Sequence, residues 1–287
     1  MLRLPQESSE GVRVGTALPA ERRLAIMERV RSRSMVRPVD LADELGVSIE
    51  TIRRDLMALE EDGLLRRVYG GATATTPRGF EPAFEKRRML NRASKTAIGR
   101  LAAGLIEPGD TLILDIGTSV AELATELPLA FRGIVLTNSL LVANELVGRE
   151  GVEVIASGGR VRPGDLACFG PVSEAFFRDY YADKAFMGCG GVDLVGGLTD
   201  YYPEEIASRR VILEHAAERY VLAESSKLGE VAFGRVCDLA ALTAVITDDL
   251  ADPGEVTRLE EAGLTVMIAG TESGAKDSVK GGQQAEV

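Results

Sequence analysis

The sequence predicts an α/β chain in two parts: an N-terminal winged helix-turn-helix domain, then a domain built on a mostly parallel sheet. Three observations carry this. Residues 20–72 hold three short helical patterns followed by LLRRVYGGA, a strand-like run entering a glycine turn. From residue 111 to residue 268, short β-rich runs recur, most of them separated by helical segments. That alternation argues for parallel strands covered on both faces. Charge is also unevenly shared. Residues 1–79 carry 13 Arg/Lys and 12 Asp/Glu, the remainder 20 and 32, in a chain of net charge −11.

Residues 1–19 show no periodicity and read as a disordered tail. Leu24, Met27 and Val30 then recur at helical spacing between Glu21 and Ser34. Pro38 opens a second helix through Leu45, since proline is tolerated in a first turn. Gly46 ends it, and Ser48 caps a third helix that runs to about Asp62. Residues 73–83, small and polar with two prolines, read as a linker. The second domain is expected over 84–270. It begins with one helix from Phe84 to Ile106, stopped by EPGD. TLILD, GIVLTN, VEVIAS, KAFMG, RYVLAE, AVITD and LTVMI are its strands, with helices at Val120–Leu127 and Glu204–Ala217 among them. The polar residues 271–287 read as a second disordered tail.

Composition excludes several classes. Cys168, Cys189 and Cys237 lie far apart without a CxxC, and His215 is the single histidine. No disulfide framework, metal site or cofactor is expected; the cysteines read as small core residues and His215 as packed or surface. No apolar run approaches the ~20 residues of a membrane span, so a cytoplasmic protein without a membrane partner is expected.

The first candidate site lies at Leu41–Leu56. Leu41, Leu45, Val47, Ile52 and Leu56 surround Ala42 and Gly46, a set that lets two helices pack closely around a turn. With Ile52, Leu56 and Leu59 inward, Glu50 and Arg54 face outward, flanked by Thr51 and Arg53. Ser48 and the helix N-terminus suit a phosphate. Arg66, Arg67 and Tyr69 would form a wing on the DNA backbone. The local alternative is a solvated Glu50–Arg54 pair contributing about 0.3 kcal/mol. The segment from ERRLAIMERV to LLRRVYGGA, with TIRRDL at its centre, resembles the N-terminal domain of the DeoR family of bacterial transcription regulators.

The second candidate site is DIGTS (115–119), where a strand ends in a small-residue turn and a helix begins. Free amides and hydroxyls converge in such a turn and suit an anion. Thr137-Asn138-Ser139, Gly158-Gly159, Gly190-Gly191 and Ser225-Ser226-Lys227 also follow strands, where ligands gather in open α/β sheets. No GxGxxG or Walker loop follows any strand, so a small phosphorylated ligand fits better than a nucleotide. LDIGTS, LTNSL, IASGGRVR, ADKAFMGCGGVD, GLTDYYPEE and AESSKLG resemble successive signatures of the DeoR-family sensor, whose fold is of sugar-isomerase type. That resemblance implies an effector pocket lined by Asp115, Gly117, Thr118, Ser119, Asn138, Gly158, Gly159, Glu205 and Lys227, with Lys227 as the phosphate's charge partner. The sequence departs from the family at Glu224, where Asp is usual, and at the Tyr201-Tyr202 pair.

Together these features predict a non-enzymatic repressor of a sugar or carbohydrate operon. It would bind double-stranded operator DNA as a dimer or tetramer and release it when a phosphorylated sugar binds. The alternative is a sugar-phosphate isomerase with an appended interaction domain, using Asp115, Asp193 or Glu205 as base. A third reading gives the N-terminal domain protein contacts only. The basic run Lys86-Arg87-Arg88 reads as solvated or interdomain.

Overall fold

The computed structural model describes residues 19–32, 35–61, 65–68, 70–74 and 81–270. These form two compact units that part at residues 75 and 76.

In the first unit, helices α1 (Pro19–Ser32), α2 (Pro38–Leu45) and α3 (Ile49–Glu61) precede an antiparallel hairpin of β1 (Leu65–Val68) and β2 (Gly71–Ala74). Ile26, Val30, Leu41, Ile52, Leu56 and Leu59 lie at the centre of one apolar core. Gly46 closes α2 in the left-handed region (φ 65), which a side chain would resist. Ser48 caps α3 by accepting the Thr51 N–H at 3.1 Å. Val36 exchanges two backbone hydrogen bonds with Ala72 and so adds a one-residue bridge on the other side of β2. Thr73 and Ala74, expected in the linker, instead pair with Arg66 and Leu65 and complete the wing.

The second unit opens with α4 (Phe84–Met89) and α5 (Arg92–Ala103) rather than one helix over 84–106. The break falls at two residues. Leu90 is extended and Asn91 left-handed (φ 49), which turns the Leu90 carbonyl onto the buried ammonium of Lys95.

After α5 the chain runs through β3 (Thr111–Leu114), α6 (Thr118–Glu126), β4 (Gly133–Thr137), α7 (Leu140–Leu146) and β5 (Val152–Ala156). A short antiparallel ribbon, β6 (Arg160–Val161) with β7 (Cys168–Phe169), and α8 (Pro171–Arg178) follow. Next come β8 (Ala182–Met187), β9 (Gly191–Asp193), β10 (Gly197–Asp200), α9 (Pro203–His215) and β11 (Ala216–Leu222). The last elements are β12 (Gly234–Cys237), β13 (Ala244–Asp248), α10 (Pro253–Glu261) and β14 (Val266–Ala269).

Seven strands make a parallel sheet in the order β14-β13-β11-β8-β3-β4-β5. Alternate residues feed two cores: Ile113, Ala185 and Val221 on one face, Leu112, Phe186 and Leu222 on the other. Strands β12, β10 and β9 form a separate antiparallel sheet. From β3 the chain builds outward through β4 and β5, then returns to the other side of β3 with β8. The strand order therefore reverses between β3 and β8. Crevices at the carboxyl ends of the strands at such a switch point are where open α/β sheets bind ligands.

Candidate functional site

The outward face of α3 carries the residues expected to meet DNA. Arg53 and Arg54 are both exposed. Glu50 pairs with Arg53 at 3.7 Å, and among the described residues Arg54 makes no ion pair. Ser48 and Thr51 are joined through their hydroxyls at 2.8 Å. Arg67 is held by Glu60, whose carboxylate accepts its backbone N–H at 2.9 Å and its Nε at 2.6 Å. That contact docks the wing onto the end of α3 and draws the Glu60 carboxyl below the usual carboxylate range, chiefly through the backbone N–H. Arg66 lies half-buried on β1, and Tyr69 falls outside the described residues. Sequence reasoning missed the role of Asp55. It is buried and takes Arg22 and, at 3.3 Å, Arg23, which ties α1 to α3.

At the switch point of the large sheet lies an open cleft of about 380 Å³, counted to its mouth. Gly117, Thr118 and Ser119 line it from the first turn of α6, where unpaired amides accumulate. Gly188, at the end of β8, lines it too. A Cβ there would lie 2.7 Å from the Ile116 carbonyl, so only glycine lets the two strand ends approach this closely. Glu205 and Lys227 complete the expected residues brought together, and Lys227 donates to the Cys189 carbonyl.

Asp115 is buried in an ion pair with Arg209, whose Nε lies 2.7 Å from its carboxylate. Asn138, Gly158 and Gly159 do not line the cleft. The Asn138 carbonyl instead accepts the Cys168 N–H at 2.7 Å, and Gly159 packs against the Phe169 carbonyl, so both serve the β6–β7 ribbon.

Arg209 is the largest omission from the sequence reading. Fully buried on α9, it pairs with Asp115, Asp200 and, at 3.5 Å, Glu205. Its guanidinium is held well above its ordinary range: burial opposes the charge, but the carboxylates more than offset that. Arg162 reaches Asp165 and Glu205 and lies 4.0 Å over the Tyr202 ring. Burial, with Asp200 nearby, pushes the Glu205 carboxyl up to about 8. Arg87, expected to be solvated or interdomain, lines the cleft and pairs with Glu81 at 2.9 Å. Among the described residues, Lys227 is thus the cleft cation with no carboxylate in ion-pair range. Behind it, Glu224 accepts from Asn91 at 2.9 Å and pairs with Lys95 at 3.0 Å. That pair anchors the α4–α5 elbow to the loop that carries Lys227.

His215 stacks on Tyr181, their centroids 5.0 Å apart, at the end of α9 and outside the cleft lining. Cys189 lines the cleft, its thiol pushed up to about 11 by burial, which makes it a poor nucleophile. Among the described residues no helix is long and apolar enough to cross a membrane.

Comparison with known proteins bears on both units. A protein of Escherichia coli O157:H7, named for a proposed role as aga operon transcriptional repressor, is 34% identical over 254 residues, 88% of this chain and 94% of its own. The HTH-type transcriptional regulator GlpR of Haloferax volcanii is 34% identical over 250 residues, 87% and 98% of the two chains. Among solved structures, ribose 5-phosphate isomerase A from Methanocaldococcus jannaschii is 17% identical with a TM-score of 0.36, over 48% of this chain and 54% of that one. Residues 22–78 match the DeoR-like helix-turn-helix domain and residues 90–249 the DeoR C terminal sensor domain. With an exposed arginine pair on α3 and an open cleft at the switch point of its sheet, the chain belongs to the DeoR family of helix-turn-helix transcription regulators.

Proposed function

We propose that this protein represses a sugar or carbohydrate operon and releases its operator when a phosphorylated sugar fills the sensor cleft. Ser48, Glu50, Thr51, Arg53 and Arg54 would read the operator from α3, with Arg66, Arg67 and Tyr69 on the phosphate backbone. Base edges supply sequence preference and phosphates supply register. The first of the relatives above bears the name of an operon repressor, which supports repression over activation. A cytoplasmic dimer or tetramer presenting paired wings would match a symmetric operator.

The observation that carries the effector reading is the meeting of the α6 first turn with the Lys227 ammonium in one cleft. Amides and one cation at the end of a parallel sheet suit a phosphate monoester. Binding better in one arrangement of the protein than in the other is all that regulation requires.

An isomerase needs a carboxylate free to take a proton from substrate carbon. Asp115 is locked on Arg209, and Glu205 is shared between Arg162 and Arg209. Asp193 accepts the Val195 and Gly196 N–H groups of its own turn. These engagements support a binding site over a catalytic one. The test is a panel of sugar phosphates screened by thermal shift on the full chain. A ligand at 100 times its Kd stabilises by about 2.7 kcal/mol. Thr118→Ala and Lys227→Ala should remove that shift and the operator release while leaving operator affinity unchanged. If both variants release operator at wild-type effector concentrations, the cleft is not the effector site.

A further inference from the structure

We infer that the Glu81 carboxylate occupies the anion position of the sensor cleft, and that a phosphate monoester enters by displacing it from Arg87. This deepens the effector reading above and rests on it.

Glu81 and Arg87 come from the short segment that precedes and forms α4, not from the sheet loops, yet both line the cleft beside Lys227. The Glu81 side chain is only 9% exposed and its carboxylate meets Arg87 Nη1 at 2.9 Å. Lys227 and Arg209 both attract it, whereas Asp200 repels it. Burial raises its carboxyl above the ordinary range, as expected of a charge held in a site with little water.

The other carboxylates of the cleft are poor candidates for displacement. Asp200 is fixed by the buried Arg209, Asp165 accepts from two nitrogens of Arg162 and from the Ala167 N–H, and Glu205 is shared by two guanidinium groups. Among the described residues Glu81 has one ion-pair partner, and that partner also donates Nε to the Pro82 carbonyl at 3.0 Å, so Arg87 stays oriented when Glu81 leaves. A phosphate at this position would meet two cations, Lys227 and Arg87, instead of Lys227 alone.

The elbow at Leu90–Asn91 gives this exchange a mechanical meaning. Asn91 and Lys95 bind Glu224, two residues before Ser226 and three before Lys227, so the C-terminal end of the segment is pinned to the effector loop. Toward its N-terminal end, the pair the phosphate would replace lies within the segment itself, between Glu81 and Arg87 of α4. The segment is therefore a strap pinned at the elbow, with an exchangeable internal pair on the side where the linker to the DNA-binding unit joins it.

The test is isothermal titration of the full chain with inorganic phosphate and with ribose 5-phosphate, comparing wild type, Glu81→Gln and Arg87→Ala. Displacement predicts tighter binding by Glu81→Gln, about 5-fold or more, and weaker binding by Arg87→Ala. Glu81→Gln binding that is unchanged, or weakened in step with Arg87→Ala, would mean that Glu81 only positions Arg87, and overturns the inference. A second readout is tryptic cleavage at Arg87–Arg88. It should quicken in wild type on adding phosphate and be fast without it in Glu81→Gln; cleavage indifferent to both overturns the strap. Failure of the underlying effector reading looks different, because Lys227→Ala would then bind the same phosphates as tightly as wild type.

Discussion

Replacing Arg209 with Met tests whether the floor of the switch-point cleft is held by charge compensation. Met preserves much of the length and apolar stem of arginine, so the cavity contribution stays small. What is lost is the cation facing Asp115, Asp200 and Glu205, all nine-tenths or more buried. Breaking a buried pair by removing one partner costs about 3–5 kcal/mol. At about 2–4 °C per kcal/mol for a unit of this size, the melting temperature should fall by about 6–20 °C.

The pH dependence separates charge from packing. A carboxylate whose folded-state pKa lies above its unfolded value contributes stability below the unfolded pKa and loses it as pH rises through the folded one. Glu205 is already such a group, raised to about 8, and it loses stability between about pH 4.5 and pH 8. Without Arg209 the carboxylates repel one another uncompensated, so the Glu205 carboxyl rises further. The stability difference between wild type and Arg209→Met should therefore be larger at pH 8 than at pH 5. Urea denaturation of both proteins at the two pH values measures it. A loss under about 1 kcal/mol, or one equal at both pH values, would refute compensation and leave only packing.

Two predictions concern the DNA-binding unit. Arg54→Ala should lower operator affinity by about 1–3 kcal/mol if the guanidinium reads a base. If it meets a phosphate instead, binding should weaken evenly across sequences and the salt slope drop by about 1; unchanged affinity, measured by fluorescence anisotropy, removes Arg54 from the interface. Asp55→Asn keeps the shape but discards the charge that holds Arg22 and Arg23, and should cost about 1.5–3 kcal/mol. Faster amide exchange across α1 in the full chain reports that loss, and unaltered exchange would show that the apolar core alone fixes α1.

The fold was legible where periodicity and end signals coincide. Pro38, Gly46 and Ser48 mark helix boundaries through conformations and hydrogen bonds that are local in sequence, and each acts where expected. The strands are short apolar runs buried on both faces, which parallel sheets require. The elbow at Leu90–Asn91 was hidden because its cause is distant. Lys95 and Glu224, 129 positions apart, meet only after the sheet has formed.

The cleft was half legible for the same reason. Gly117, Thr118, Ser119 and Lys227 sit on loops that follow strands, so topology alone gathers them. Asn138 and the Gly158-Gly159 pair follow strands β4 and β5, on the far side of β3 from β8. The chain spends those loops on the β6–β7 ribbon. Arg209 escaped the sequence reading because nothing local in Ser208-Arg209-Arg210 says which arginine is buried.

Two adjacent arginines on a helix are about 100° apart, and burial decides the meaning of each. Helix α9 lies between the large and small sheets, packed against β8, β10, β11 and β12, so one arginine must face inward. Arg209 enters the cleft floor while Arg210 turns out to the Val236 and Arg235 carbonyls. In α3, with Ile52, Asp55, Leu56 and Leu59 buried on one side, both Arg53 and Arg54 remain outside. The same dipeptide is thus structural in a helix covered on several sides and available to a partner in a helix covered on one. Charge count alone does not distinguish the two; the number of buried faces does.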